Sequence, residues 1–174
     1  MEKPTEKTGM TETQAPKMED SESGMRIPVW FSTPLTDNTS GNIFSIMDLK
    51  GKVVLVETMA TWCPNCLKQQ KEVKGLLEGL AGNDNLVVVA LAVDINTSAE
   101  ELKGYTEKNG FNWYYAIPSA EVIRELGQLY GEQFLNPPAT PMLIIDKKGD
   151  FHPLPFGQKS AEQLTEALRP FLEG

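Results

Sequence analysis

Two short and almost wholly apolar runs constrain the fold of this chain more than any other feature. Residues 53–59 read VVLVETM and residues 86–93 read LVVVALAV. Runs of this length without polar alternation are typical of strands that are buried on both faces of a sheet. A stretch with helical periodicity separates them, so the two strands can lie parallel with a helix between them. The sequence therefore predicts an α/β sheet that is covered on both faces.

Helix-start signals recur in the second half of the chain. Ser119 precedes one helical stretch, and Ser98 and Ser160 each precede another, with Glu101 and Gln163 three residues further on. A serine followed at that spacing by Glu or Gln is a capping box, in which side chain and backbone bond reciprocally at the first turn. We therefore expect capping boxes at Ser98 and Ser160 and a simple N-cap at Ser119.

The remaining strand signals predict a mixed sheet. Residues 113–117, 142–146 and 151–154 read as strands, and a turn at 147–150 joins the last two as an antiparallel pair. Near the N-terminus, apolar groups at 29–31 and 43–46 flank the polar turn TDNTSGN, which indicates a hairpin.

Composition divides the chain into two parts and excludes some functions. Residues 1–24 contain no aromatic residue and no Val, Ile or Leu, so they predict a disordered polar tail before a single domain at 25–174. The net charge of -8 disfavours nucleic-acid binding, which needs a basic surface. No apolar run has the length of a membrane span.

The chain has two cysteines, and both lie in the run WCPNC, as Cys63 and Cys66. A structural zinc site needs four ligands, and the single histidine, His152, lies far away in the sequence. Haem attachment needs a histidine directly after the second cysteine, where this chain has Leu67. Two buried cysteines without chemistry would be the remaining structural explanation. The spacing favours a redox-active dithiol.

The local pattern assigns different roles to the two thiols. A strand, a short loop and a helix place Cys63 at the helix start, with Pro64 at the first helical position. Free N–H groups and the helix dipole stabilise a thiolate there. We therefore expect Cys63 to attack, and Cys66, one turn further and more buried, to resolve.

The sequence resembles the thioredoxin superfamily, and within it the TlpA-like thiol–disulfide oxidoreductases. The segments that carry the likeness are DLKGKVVLVETMATWCPNC, residues 48–66, and TPMLIIDKKGD, residues 140–150. The resemblance implies a thioredoxin-like fold: a central mixed β-sheet flanked by helices, with an N-terminal β-hairpin addition and an insertion after the active-site helix.

The resemblance also implies site residues. Glu57 matches the buried carboxylate that takes the proton of the resolving cysteine, which makes Cys63, Cys66 and Glu57 the predicted catalytic residues. An exposed position at the sheet edge is the alternative for Glu57. Pro141 matches a proline that follows a cis peptide bond and packs beside the disulfide. The predicted substrate-binding residues are Trp62, Pro64, Thr140, Pro141 and Gly157.

These features predict a thiol–disulfide oxidoreductase that exchanges two electrons with partner proteins. Because Pro64 and Asn65 bring no positive charge between the cysteines, we expect a reductant. The expected redox group is the Cys63–Cys66 disulfide, without cofactor or metal. A thioredoxin-fold binding module with a regulatory or structural disulfide is the alternative. A peroxiredoxin is disfavoured because Ala60 stands where its motif has threonine.

The resemblance further implies partners and a location. Expected partners are protein thiols and disulfides and an upstream thiol electron donor, but not nucleic acid, and the expected state is a monomer. Family members usually work outside the cytoplasm, so we expect a periplasmic or membrane-tethered protein whose anchor precedes residue 1. A cytoplasmic location is the alternative.

Overall fold

The structure is a computed structural model that describes residues 26–174. The predicted tail, residues 1–24, lies outside the described residues. Within the described residues seven strands occur in chain order: β1 (Leu35–Thr36), β2 (Ile43–Phe44), β3 (Val53–Met59), β4 (Leu86–Ala92), β5 (Tyr114–Ala116), β6 (Met142–Ile145) and β7 (Phe151–Pro153). The same part of the chain contains four α-helices: α1 (Pro64–Gly79), α2 (Ala99–Asn109), α3 (Ala120–Tyr130) and α4 (Ala161–Leu172).

The central sheet has five strands in the order β5-β4-β3-β6-β7. Strands β3, β4 and β5 run parallel, whereas β6 pairs antiparallel with β3 and β7 pairs antiparallel with β6. All seven residues of β3 are buried, as its apolar run predicts. The predicted mixed α/β sheet is confirmed, and the redox motif directly follows its central strand.

Two apolar cores lie on opposite faces of this sheet. Because side chains alternate along a strand, Val53, Leu55 and Met59 of β3 face one core and Val54 and Val56 the other. The first core includes residues of α1, α2 and α4, and the second includes residues of α3 and the N-terminal segment. Glu57 has the parity of Leu55 and Met59, so it lies on the face that α1 and α4 cover.

The N-terminal segment forms its hairpin with shorter strands than the apolar pattern indicates. Strands β1 and β2 pair antiparallel as a separate two-stranded sheet. The apolar group Val29–Phe31 is a 3-10 helix rather than a strand of that hairpin. Its Trp30 is fully buried in the second core and donates from Nε1 to the hydroxyl of Tyr130 at 3.1 Å. Packing of Trp30 against α3 therefore decides the conformation of residues 29–31.

Between β4 and β6 the chain carries α2, β5 and α3, followed by the 3-10 helices Glu132–Leu135 and Pro137–Ala139. The last of these is the segment that reaches the cysteines. None of the helices within residues 26–174 combines the length and the apolar character that crossing a membrane would require.

The predicted helix starts are present, with one difference. Ser119 caps α3, and the capping box of Ser160 with Gln163 is complete at α4. Ser98 caps α2 by accepting from the backbone N–H of Glu101. The Glu101 side chain does not bond back to the Ser98 N–H, so the prediction of a complete capping box at Ser98 is wrong. The Glu101 carboxylate instead accepts a hydrogen bond from Thr61. This contact ties α2 to the loop that precedes the cysteines.

Candidate active site

A disulfide joins Cys63 and Cys66 at the start of α1. Cys63 is the N-cap residue, with extended backbone, and its Sγ accepts a hydrogen bond from the Cys66 N–H at 3.2 Å. Pro64 occupies the first helical position, where a missing N–H costs no hydrogen bond. The sequence pattern predicted this arrangement because its signals are local.

Both cysteines are buried to the same degree in this oxidised state. Cys63 is 1% exposed and Cys66 2%, so the expectation that Cys66 is the more buried one is wrong. The disulfide joins them across a single helical turn, with their Cα atoms 5.3 Å apart. The two sulfurs differ instead in their neighbours, since the Pro137 carbonyl oxygen lies 3.3 Å from Cys66 Sγ.

Trp62 lies on the surface beside the disulfide. It is 59% exposed, and its indole Nε1 donates to Asp94 Oδ2 at 2.7 Å. Asp94 follows β4, and hydrogen bonds from the Asn96 backbone and from Trp62 hold the pKa of its carboxyl below the usual value. The aspartate therefore holds the exposed indole ring in place next to Cys63.

Pro141 does not have the predicted conformation. No peptide bond within residues 26–174 is cis, so the expected cis Thr140–Pro141 bond is wrong. The chain turns at Thr140 instead, which takes a left-handed conformation with φ +48° and donates its N–H to the Pro137 carbonyl at 2.8 Å. Of this segment, the Pro137 carbonyl is the group that lies 3.3 Å from Cys66 Sγ.

Gly157 brings the last loop onto the same site. Its φ of +98° is a conformation that residues with a side chain rarely adopt. Its N–H donates to the Ala139 carbonyl at 2.9 Å, and the neighbouring Gln158 side chain donates to the Asn65 carbonyl at 2.7 Å. The loop thus bonds both to the 137–141 segment and to the first turn of α1.

Glu57 is buried and not at an exposed edge. It is 2% exposed, and burial raises the pKa of its carboxyl to about 8, although the positive charge of Lys159 and the nearby Trp113 indole oppose the rise. Neither Glu57 Oε1 nor Trp113 Nε1 has a hydrogen-bond partner among the described residues. A carboxyl with this pKa exchanges its proton near neutral pH, as a general acid or base requires.

Three polar residues behind the disulfide were not predicted from the sequence to belong to the site: Lys159, Gln69 and Gln70. All three are buried. The two glutamines lie three and four residues after Cys66, and that helical spacing could have revealed them. Lys159 carries no such signal, because a lysine next to an N-cap serine is usually exposed.

The glutamines organise the polar groups of this core. Gln70 Oε1 accepts from the hydroxyls of Tyr105 at 3.0 Å and Tyr115 at 2.8 Å. Burial raises the pKa of both tyrosines, so they stay protonated and cannot act as bases at neutral pH. Of the two tyrosines and Glu57, Glu57 is the one whose pKa lies near neutral pH. Within residues 26–174 no group of three or more His, Cys, Asp or Glu side chains has a metal-binding arrangement.

Comparisons with known proteins agree with this geometry. The chain matches the Redoxin family over residues 12–151. It is 30% identical over 129 residues to the thioredoxin-like protein YneN of Bacillus subtilis, a match that covers 74% of this chain and 71% of the relative.

Solved structures share the fold at low sequence identity. A thiol:disulfide interchange protein of the thioredoxin family from Chlorobium tepidum superimposes with a TM-score of 0.65 at 22% identity, covering 79% of this chain and 92% of that one. A secreted Mycobacterium tuberculosis disulfide oxidoreductase gives a TM-score of 0.61 at 17% identity, covering 80% and 96%.

The fold and the disulfide at the start of α1 define a thiol–disulfide oxidoreductase of the thioredoxin superfamily. Within that superfamily the chain belongs to the Redoxin family.

Proposed function

We propose that this oxidoreductase works as a reductant of disulfides in partner proteins. The observation that carries the proposal is the setting of Cys63, which lies at the start of α1 with only uncharged residues in the first turn. Backbone N–H groups alone then stabilise its thiolate, without help from a neighbouring cation on that turn. A thiolate that is stabilised only modestly makes the corresponding disulfide a weak oxidant.

The reaction begins from the reduced protein. The Cys63 thiolate attacks one sulfur of the partner disulfide, so a mixed disulfide forms and the other partner sulfur leaves as a thiolate. Glu57 then takes the proton of Cys66, and the Cys66 thiolate attacks Cys63 Sγ. The Cys63–Cys66 bond forms, the bond between Cys63 and the partner breaks, and the second partner sulfur leaves as a thiolate with the electron pair of that broken bond. Two electrons have passed to the partner, and an upstream dithiol donor must restore the reduced pair.

The partner would dock on the exposed residues around Cys63. Trp62, Pro64 and Gly157 are exposed and supply this contact surface. Thr140 and Pro141 are buried, and the Thr140 carbonyl already accepts from Lys159 at 3.0 Å. Their role is therefore to form the wall behind the disulfide rather than to pair with an incoming strand.

We place the protein outside the cytoplasm, as a monomer that is periplasmic or tethered to a membrane. Disulfides of partner proteins are common there, and a reductant has substrates to act on. The Mycobacterium tuberculosis structure with the same fold is of a secreted protein, which supports this location.

The midpoint potential tests the direction of electron flow. The protein is equilibrated in glutathione buffers of graded composition, and the two redox forms are quantified after acid quenching and alkylation. We expect a potential nearer to the roughly -270 mV of thioredoxin than to the roughly -120 mV of a strong oxidant. A value above about -180 mV would make the protein an oxidase or isomerase.

A further inference from the structure

Lys159 has an unusual environment for a lysine in a surface loop. It lies directly before the N-cap of α4, yet it is 8% exposed. Its ammonium donates to three backbone carbonyls: Thr140 at 3.0 Å, Pro155 at 2.9 Å, and Gly157. An ammonium group has three N–H donors, so this set uses all of them.

The backbone of Lys159 is fixed as firmly as its side chain. Its N–H donates to Gln69 Oε1 at 2.8 Å, and its carbonyl accepts from Gln69 Nε2, also at 2.8 Å. Gln69 lies on α1, three residues after Cys66. Lys159 therefore joins three chain segments that surround the disulfide: α1, residues 137–141 and the last loop.

We propose that Lys159 is a positioning residue of the redox site. Its ammonium holds the Thr140 and Gly157 carbonyls beside the disulfide, and its positive charge stabilises the Glu57 carboxylate in the resolving step. In that step the S–H bond of Cys66 breaks, its proton goes to Glu57, and the electron pair stays on sulfur. Lys159 neither gains nor loses a proton. The part of this inference that concerns proton transfer rests on the proposed function, in which Glu57 takes the proton of Cys66.

The charges of Lys159 and Glu57 influence each other. Burial raises the pKa of Glu57, and the positive charge of Lys159 acts against that rise. Burial lowers the pKa of Lys159 to about 8, and the negative charge of Glu57 acts against that fall. No direct ion pair joins them among the described residues, so the interaction acts through the protein interior.

The other titratable groups around this pair do not replace Lys159. They include Cys63 at the N-cap of α1, Cys66 and Glu72 on α1, Tyr105 on α2 and Tyr115 on β5. Burial and the nearby Glu57 raise the pKa of both tyrosines, which are therefore neutral. The Glu72 carboxylate accepts from the Ala161 N–H at 2.8 Å and adds only negative charge. None of these five groups is a cation, so the positive charge that acts on Glu57 comes from Lys159.

Lys159→Met tests the inference in the full-length protein. The pKa of Glu57 is measured in the oxidised form from the carbon-13 shift of its carboxyl, a readout that needs no turnover. Without the positive charge we expect this pKa to rise by about one unit. The ionised fraction of Glu57 at pH 7 would then fall about tenfold, and so would the rate at which the mixed disulfide resolves.

Two further variants separate charge from fold. Lys159→Arg keeps the charge, so the Glu57 pKa should stay at the parent's value and the rate within about threefold of the parent. Lys147→Met is the matched control, because Lys147 also donates from Nζ to backbone carbonyls, of Leu172 and Gly174, at the opposite end of β6. It should change neither readout.

The outcomes distinguish this inference from the proposed function. An unchanged Glu57 pKa in Lys159→Met, or an equal shift in Lys147→Met, overturns the role of Lys159. Lys159→Gln, which keeps an amide donor without the charge, gives the same test if Lys159→Met does not fold. A parent protein that fails to reduce partner disulfides contradicts the proposed function and leaves the pKa measurement valid.

Discussion

Glu57 makes the folded protein sensitive to pH around neutrality. Its pKa rises from 4.5 to about 8 on folding because burial disfavours the charged form. Between these values the folded state binds a proton that the unfolded state has released. The contribution of Glu57 to stability is therefore complete below about pH 4.5 and is lost as the pH rises through 8. Lys159, whose pKa is lowered to about 8, contributes fully above about pH 10.5 and loses its contribution as the pH falls through 8.

Glu57→Gln should remove the first of these pH dependences. The neutral amide does not titrate, so the variant should gain stability relative to the parent as the pH rises from 5 to 8. We expect a relative gain of roughly 2–4 kcal/mol in the free energy of unfolding. Urea unfolding at several pH values measures it, with the exposed Glu78→Gln on α1 as the control. A difference from the parent that stays constant across this range would contradict the raised pKa.

At the scale of elements, the single helix α1 carries both the redox-active disulfide and the buried polar residues that lie behind it. Its N-terminal turn carries the disulfide, and its buried face continues through Gln69, Gln70, Val73 and Leu76 at helical spacing. The predicted strand–loop–helix pattern gave the position of the cysteines correctly. Gln69 and Gln70 stand between charged residues in the sequence, at positions 68 and 71, yet both are buried. Their burial depends on Lys159 and on Tyr105 and Tyr115, which come from distant parts of the sequence.

The helix start predicts unequal reactivity of the two thiols. In Cys66→Ser, Cys63 should attack a partner disulfide and remain trapped in a mixed disulfide, because no second thiol can resolve it. Cys63→Ser should form no such adduct, since its remaining thiol contacts the Pro137 carbonyl and lacks the free N–H groups of the first turn. Non-reducing electrophoresis after incubation with a disulfide protein distinguishes the variants. Faster alkylation of Cys66 than of Cys63 in the reduced parent would refute the assignment.

For the whole molecule, the two cores on either side of the sheet hold the fold together without the disulfide, which adds a limited increment of stability. The bonded cysteines are only three residues apart in sequence, so the bond constrains a very short loop. Chain entropy then accounts for about 2 kcal/mol. The buried clusters of both faces do not depend on that bond.

Reduction should therefore leave the protein folded. We expect an unchanged far-UV circular dichroism spectrum with dithiothreitol and a free energy of unfolding that is lower by about 2 kcal/mol. Which redox form has the larger free energy of unfolding also tests the proposed direction of electron flow, because strong oxidants of this type are more stable when reduced. Paired urea titrations of the two redox forms measure it. A reduced form that is the more stable one would argue against a reductant.

The sequence by itself determined the elements whose signals are local. The apolar runs predicted β3 and β4, serines with their following acceptors predicted the helix starts, and WCPNC predicted a dithiol at the start of α1. Each of these depends on residues within a few positions of one another, so no knowledge of distant contacts is needed.

Only the tertiary structure decided what surrounds the disulfide. Glu57 and Lys159 come from opposite halves of the chain, and their shifted pKa values follow from burial that no local pattern reports. The contact of the Pro137 carbonyl with Cys66 joins residues that are 71 positions apart in the sequence. A buried polar group is stable only where its hydrogen-bond partners converge, and packing of separate elements brings those partners together.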